Sequence, residues 1–475
     1  MEIAIANRRR LNAGGVVEEN ILAILDVADT SHTQHATDDR ISFLEAVRAA
    51  CIVNRTPPTN KMCEAVFRIM RISKSLELVM ESYRLLNELD EHFPRVYVSE
   101  AGESGSSKLV VDEEAWSPFV FNLDIATIER ETSDKSCTRP LDPLGFQLLL
   151  QELLQSVNDT NLHGLEIKSL RNMLLFQYLV NALGGDFVPR NNVYEETMDW
   201  VLLRESSLGM LMSSRRINYK NLMKDCLSIM CGLHEVYSGS RMDEEYSDNS
   251  EDKPSPSDNC ATAVAFPEVA SWARTAMQKL LIFIMELDAS RKIADMQGRT
   301  TRADGVRTPL LEIIVDELSY NTDLLSSFLQ ILDEPKWKLE IILQYFSKYT
   351  GRVSTNTRRS SGSKEDMSLS GVLKGFTTIT STKNIIKKIN AVSVQVLLAH
   401  AFQAYLSLSS SLQDAESNCS SKKEANGSSL IEICKNTISA FSNLKRVDGK
   451  MAILPIAKEA LFTAATISST ESEDV

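Results

Sequence analysis

The apolar residues of this chain recur mostly with the period of an α-helix. In residues 76–89, 146–157 and 222–233 they fall at positions i, i+3, i+4 and i+7, so each segment carries one apolar face. Such a face is typical of a helix that packs on one side. The same spacing predicts further helices at 17–29, 38–53, 60–73, 165–183, 193–214, 268–296, 309–319, 322–332, 335–349, 391–408, 429–445 and 456–467.

Capping and breaking residues agree with these helices. Thr59 precedes one predicted helix as a side-chain cap, and Thr308-Pro309 supplies a cap followed by proline in the first turn. Gly184-Gly185 is predicted to end the helix over 165–183, because glycine readily adopts positive φ. All thirteen prolines can be placed outside helix interiors or in a first turn.

Strand signals are few. Residues 95–99 alternate in polarity and are predicted to pair with 109–111 across the Gly- and Ser-rich stretch 102–107. The fold class is therefore all-α. We expect an armadillo- or HEAT-like irregular helical solenoid with disordered acidic and Ser-rich loops, and an irregular helical bundle is the alternative.

Composition shifts predict the domain organisation. Segments poor in apolar residues cannot offset the entropy of ordering and are expected to be loops. The predicted order is a flexible N-terminus with a short helix (1–35), an N-terminal helical half (36–238) with an acidic loop region (99–138), an acidic disordered linker (239–262), a C-terminal helical half (263–467) with flexible loops (350–370 and 410–428), and a disordered acidic tail (468–475).

Charge, hydropathy and cysteine usage narrow the class of protein. The net charge is −13, which disfavours a surface that wraps DNA as a whole but permits a local basic patch. No run of 18 apolar residues and no signal-peptide pattern occurs, so we expect an intracellular chain without a membrane span. The cysteines at 51, 63, 226 and 434 lie at helical spacing among apolar residues and are predicted to be buried thiols.

The motifs of common enzymes are missing from the sequence. There is no phosphate-binding GxxxxGK[ST] loop, no GxGxxG after a strand and no GxSxG elbow. His234-Glu235 begins like a zinc-protease motif, but Ser238 replaces the second histidine. Paired-carboxylate catalysis stays open, although acidic runs are usually solvated faces. We expect no enzyme activity, no cofactor, no metal and no small-molecule substrate.

Residues 336–388, called the basic segment below, carry a net positive charge within a chain whose net charge is negative. The segment holds eleven bases and three acids. The sequence admits contact with nucleic acid, contact with an acidic protein surface, or a basic loop that balances acidic loops elsewhere. Trp337 and Tyr345 fit a core stripe with Ile341 better than they fit base stacking. The candidate contact residues are Lys336, Lys338, Lys348, Arg352, Arg358, Arg359, Lys374, Lys383, Lys387 and Lys388, with Lys364 completing the bases.

Three further arginines, Arg299, Arg302 and Arg307, precede the helix predicted at 309–319. Arginines beside a helix N-terminus suit the capture of an anion or of a partner's carboxylate. Asp304-Gly305 lies between them and is also a turn signal. Capture of an anion and a purely structural turn both remain open.

Several blocks of the sequence stand out because none of them is a common short motif. They are Pro57–Met62, Phe93–Ser99, Asp112–Pro118, Pro189–Trp200, Met285–Asp288, Ala303–Pro309, Asp333–Glu340, Leu444–Asp448 and Lys458–Ala464. Together they extend over nearly the whole chain and resemble one plant family, the negative regulators of systemic acquired resistance, also called suppressors of npr-one, inducible.

The resemblance implies a nuclear protein with an armadillo-like helical fold that represses defence genes. It also implies a regulatory subunit of the SMC five/six complex in recombinational repair, similar to the sixth non-SMC element. The expected partners are a helical protein resembling the fifth element and the SMC ATPases. The family offers no catalytic residues, and residues 239–260 and 410–428 depart from its pattern as expanded loops.

Overall fold

The chain is all-α in a computed structural model that describes residues 17–25, 35–100, 107–121, 140–158, 167–240, 258–301, 307–350, 368–415 and 423–470. The described residues form two compact units, Met1–Leu310 and Leu311–Val475. In each unit, helices pack against neighbouring helices as in a solenoid-like fold, which confirms the predicted class.

The first unit contains ten helices and one hairpin within its described residues. They are α1 (17–25), α2 (His35–Arg48, continued by a π-helical turn, Ala49–Val53), α3 (Asn60–Ile72), α4 (Leu76–His92), β1 (Val96–Glu100), β2 (Ser107–Val111), α5 (Pro143–Asn158), α6 (Ile167–Thr197), α7 (Trp200–Arg204), α8 (Ser207–Ser213), α9 (Tyr219–Ser240) and α10 (Asp258–Met296). Thr59 caps α3 by accepting the Met62 N–H, as predicted.

Helix α6 is the centre of this unit. It packs against α3, α4, α5, α8, α10 and both strands, so it is buried on several sides. Aromatic side chains fill the space around it: Tyr178 lies 6.1 Å from Phe67, and Phe176 lies 6.4 Å from Phe146, measured between ring centroids. All four rings are fully buried. Burial of this size is the main stabilising term of such a core.

The second unit is built around α16. Its elements are α11 (Leu310–Tyr320, which begins at the division between the units), α12 (Thr322–Ile331), α13 (Pro335–Thr350), α14 (Leu369–Lys374), α15 (Ile379–Lys388), α16 (Ala391–Ala415), α17 (Lys423–Val447) and α18 (Pro455–Thr470). Helix α16 packs against α12, α13 and α18. Its segment Ala391–Ser410 is long and apolar enough to cross a membrane by length and composition, but most of it is buried in this unit.

The predicted hairpin is confirmed. Strands β1 and β2 are antiparallel, and Val96, Tyr97 and Val98 pair with Val111, Val110 and Leu109. Val96 is buried while Tyr97 is exposed, which matches the alternation in the sequence. The predicted buried thiols are also confirmed, because Cys51, Cys63, Cys226 and Cys434 are free and buried.

The structure corrects two predicted helix boundaries. Helix α6 continues through Gly184-Gly185 to Thr197 and contains Pro189, and Pro267 lies inside α10, so two prolines occupy helix interiors. Packing around α6 outweighs the local breaking signals. The helix predicted at 193–214 is instead divided at Met198, whose φ of 57° is incompatible with a helix.

Several predicted loops are partly helical. Helix α9 continues to Ser240, α10 begins at Asp258, α16 continues to Ala415, α17 begins at Lys423 and α18 ends at Thr470. Helix elongation is cooperative, so a helix started on an apolar stripe extends into polar sequence. Other parts of the predicted loops lie outside the described residues. They are 1–16, 101–106, 122–139, 241–257, 351–367, 416–422 and 471–475.

The division between the units differs from the predicted linker at 239–262. Helices α9 and α10, on either side of that linker, pack against each other within the first unit. The compact units divide after Leu310 instead. Composition marks a polar segment of the chain, but it does not reveal whether the helices on either side share a core.

Candidate functional site

The basic segment is not uniformly available for contact. Lys338 is half-buried, and burial lowers the pKa of its ammonium group. The Lys348 ammonium lies 2.8 Å from the Asp316 carboxylate and above the Tyr320 ring. Arg352, Arg358, Arg359 and Lys364 lie outside the described residues.

The exposed lysines of the basic segment gather on two short helices. Lys374 ends α14, while Lys383 and Lys387 lie one turn apart on α15. The adjacent Lys388 ammonium donates to the Tyr349 carbonyl at 2.8 Å, which brings the C-terminal ends of α13 and α15 together. Cations at helix C-termini are favoured by the helix dipole. We call Lys374, Lys383, Lys387 and Lys388 the lysine face.

The aromatic residues of the basic segment belong to the core. Trp337, Ile341 and Tyr345 are all buried on α13, as the core-stripe interpretation predicts. The Lys336 ammonium lies 5.0 Å from the centre of the Trp337 ring and is exposed. Base stacking on Trp337 or Tyr345 is therefore blocked by their own packing.

The two arginines before α11 that the structure describes, Arg299 and Arg307, bind other groups of the protein itself. The Arg299 guanidinium donates to the carbonyl of Met198, the residue with positive φ. The Arg307 guanidinium binds the Asp288 carboxylate through Nε at 3.1 Å and Nη2 at 2.5 Å. Arg302 lies outside the described residues. Arg299 and Arg307 thus have structural contacts whether or not they also bind a partner.

Arg307 also lines a pocket of about 580 Å³ that we call the arginine pocket. Its charged side chains are Arg215, Arg216, Lys220 and Arg307, and Ile217, Asn218, Tyr219 and Thr308 complete the wall. The Arg307 guanidinium lies 4.7 Å above the Tyr219 ring, in cation–π geometry. Sequence reasoning found Arg307 but missed its neighbours, because residues 215–220 are almost ninety positions away.

A second cavity forms where three family-like blocks meet. Residues 57–60, 93–97 and 112–116 line a cleft of about 520 Å³ between α3, the end of α4 and the hairpin. The Asn60 side chain donates to the Glu114 carbonyl at 3.0 Å and so joins two of the blocks. Among the described residues, the buried Trp116 Nε1 and Arg95 Nε atoms have no hydrogen-bond partner.

The chemistry of this cleft does not resemble a nucleophilic site. Burial raises the pKa of the Cys63 thiol to about 12, so the thiol is protonated at neutral pH. Asp90 opens into the cleft and is exposed to solvent there. Within the described ranges, no three His, Cys, Asp or Glu side chains lie together as a metal site.

The fold and these surfaces define a helical scaffold with charged contact patches. Comparison with known proteins gives the family. The model of the SNI1 middle domain matches residues 95–334, and that of the SNI1 C-terminal domain matches residues 350–472. The chain is 44% identical over 458 residues to the negative regulator of systemic acquired resistance SNI1 of Arabidopsis thaliana, covering 96% of this chain and 95% of that protein.

The chain therefore belongs to the SNI1 family, as the resemblance of its sequence blocks predicted. No solved structure matches it.

Proposed function

We propose that this protein is a non-catalytic nuclear adaptor that represses defence genes and restrains systemic acquired resistance. The observation that carries the proposal is its 44% identity, across 96% of its length, to a relative named as a negative regulator of that response. An all-α fold with charged surface patches suits a protein that works by binding other proteins.

The finer proposal concerns the complex in which the adaptor works. We propose a regulatory subunit of the SMC five/six complex, which serves repair of DNA double-strand breaks by homologous recombination. Its partners would be a helical protein resembling the fifth non-SMC element and the SMC ATPases. The support is the resemblance of the sequence blocks that extend over nearly the whole chain.

The experiment is mass spectrometry of the proteins that co-purify with the tagged full-length chain from nuclease-treated nuclear extract. Recovery of the SMC ATPases with a stoichiometric helical partner is the expected outcome. If neither co-purifies although the chain is present in the nucleus, the subunit proposal is wrong.

A second candidate function is direct repression through DNA contact by the basic segment. It is favoured by the lysine face, where Lys374, Lys383, Lys387 and Lys388 are exposed. A phosphate contact of this kind weakens steeply as salt concentration rises.

Charge reversal separates the two candidate functions. Lys383→Glu with Lys387→Glu should abolish salt-sensitive binding of a promoter duplex if the lysine face contacts DNA. The matched control is Arg215→Glu with Lys220→Glu, which makes the same charge change in the first unit. If DNA binding survives the lysine-face change, or if both double variants weaken it equally, the lysine face is not a DNA site.

A further inference from the structure

The arginine pocket has unbalanced positive charge. Four cations line it, and two of them have carboxylate partners: Arg216 lies 3.2 Å from Asp142, and Arg307 binds Asp288. Arg215 and Lys220 are exposed and form no ion pair with the described residues. Four cations against two carboxylates leave a local charge of about +2.

The pocket is also rigid where it is most buried. Asp288 fixes the Arg307 guanidinium, and the Tyr219 hydroxyl donates to the same carboxylate at 3.3 Å. Helix α9 begins at Tyr219, in the wall of the pocket, so the positive end of its dipole lies beside the pocket. A preorganised cationic site loses little entropy when an anion enters.

We propose that the arginine pocket binds a phosphate monoester, carried as phosphoserine or phosphothreonine on a partner protein. Such a group has a charge of about −1.5 to −2 at neutral pH, which matches the unbalanced charge of the pocket. Guanidinium groups bind phosphate oxygens in bidentate geometry.

The shape of the site favours a phosphorylated side chain over nucleic acid. Each phosphodiester of a nucleic acid carries only one negative charge, and its binding surface follows the backbone as a stripe. Here the four cations instead line one open depression of the surface. A single dianionic head group fits that arrangement better.

The helix that contacts the wall of the pocket also carries exposed apolar side chains, which favours a peptide over free phosphate. Asp142, just before α5, pairs with Arg216, and the Gln147 side chain of α5 accepts the Asn218 N–H at 3.2 Å. The exposed residues Leu144 and Leu148 lie one turn apart on this same helix. They offer apolar contact to residues next to the phosphorylated one. The inference goes beyond the proposed function and does not depend on which complex the chain joins.

The test uses fluorescence anisotropy with the full-length chain and two labelled nonapeptide mixtures. Both mixtures are degenerate except at the centre, which is phosphoserine in one and serine in the other. We expect saturable binding of the phosphoserine mixture only. Arg215→Glu with Lys220→Glu should weaken it by at least about tenfold, because these variants reverse the two lining charges that have no carboxylate partner among the described residues. The control, Lys383→Glu with Lys387→Glu, should leave it unchanged.

Further measurements test whether the phosphate and its neighbouring residues are recognised and whether the variants stay folded. Phosphopeptide affinity should fall between pH 7.5 and pH 5.5, because the second phosphate ionisation has a pKa near 6. Leu144→Ser with Leu148→Ser should weaken the phosphopeptide but not free O-phosphoserine. Thermal melts and Arg215→Gln with Lys220→Gln show whether a loss reflects misfolding, since the neutral variant should also lose affinity while it stays folded.

Three outcomes would overturn the inference. The serine mixture could bind as tightly as the phosphoserine mixture, no phosphopeptide binding could occur, or the pocket variants could bind like the parent. A single-stranded oligonucleotide that binds through Arg215 and Lys220 while phosphopeptides do not would assign the pocket to nucleic acid instead.

Discussion

Asp288 illustrates how one buried carboxylate organises the first unit. Its oxygens accept from the Arg307 guanidinium, the Tyr219 hydroxyl and the Leu310 N–H, the last at 2.8 Å. The Asp288 and Arg307 side chains are only 8% and 13% exposed. A buried pair with this many hydrogen bonds costs far more to break than a surface pair does.

The first prediction concerns this network. Asp288→Asn should lower the free energy of unfolding by about 3 kcal/mol, because it leaves the Arg307 charge buried without a partner. The matched control is Asp316→Asn, which breaks the more exposed pair with Lys348 and should cost less than about 1 kcal/mol. Urea unfolding measures both, and equal costs would contradict the assigned role of Asp288.

A second residue prediction concerns acid stability. Burial lowers the pKa of His400 to about 4, and the nearby Lys338 ammonium contributes to the shift. As the pH falls, the His400 imidazole takes up a proton near pH 6.5 in the unfolded chain but only near pH 4 in the native chain. The contribution of the neutral imidazole to stability is therefore complete above about pH 6.5 and is lost as the pH falls towards 4.

His400→Gln should flatten this dependence. Between pH 7.5 and pH 5 the parent should lose up to about 2 kcal/mol more of its unfolding free energy than the variant, from the difference between the two pKa values. Urea unfolding at the two pH values measures the slopes. Parallel slopes would mean that His400 takes up its proton equally well in the native chain.

At the scale of elements, close packing decides where helices end. Gly184 and Gly185 look like a helix end, yet α6 passes through both. A Cβ on Gly184 would lie 2.9 Å from the Phe283 ring of α10, so the missing side chain lets the two helices approach. Gly185 has nothing within 4 Å of the same position. One glycine therefore serves helix packing and the other does not.

A pair of glycine substitutions tests this reasoning. Gly185→Ala should raise the free energy of unfolding by roughly 0.5–1 kcal/mol, because alanine favours a helix and meets no neighbour. Gly209→Ala in α8 should lower it by about 1–3 kcal/mol, because its Cβ would lie 2.3 Å from the Leu203 carbonyl oxygen. Chemical denaturation compares them, and destabilisation by Gly185→Ala would contradict an interior position in α6.

At the scale of the whole molecule, the units Met1–Leu310 and Leu311–Val475 each contain a buried core. Helix α10 belongs to the first of them, where it packs against α6 and α9. A cut within the polar segment 239–262 would separate α10 from those neighbours. The domain boundary therefore matters for any fragment used in binding studies.

Two fragments distinguish a domain boundary after Leu310 from one in the polar segment 239–262. A fragment of residues 308–475 should be helical and unfold cooperatively, because it contains the complete second unit. A fragment of residues 263–475 should aggregate, because the apolar face of α10 would lose the cover of α6 and α9. Circular dichroism and size-exclusion chromatography measure both. A soluble, cooperative 263–475 fragment beside an unfolded 308–475 fragment would favour the boundary expected from composition.

The sequence by itself determined the helical class, the hairpin at residues 95–111 and the buried thiols. These depend on periodicity and hydropathy, which are local properties. The blocks of family resemblance also pointed to the SNI1 family, which the comparisons confirmed. Local signals failed where packing opposed them, as at Gly184-Gly185 and Pro189 in α6.

Only the tertiary structure decided which residues meet. It joined Arg307 to residues 215–220 in the arginine pocket and gathered residues 57–60, 93–97 and 112–116 around one cleft. It also separated the exposed lysines of α14 and α15 from the half-buried Lys338 of α13. Contacts across such distances arise from helix packing, and the spacing of residues along the chain does not encode them in readable form.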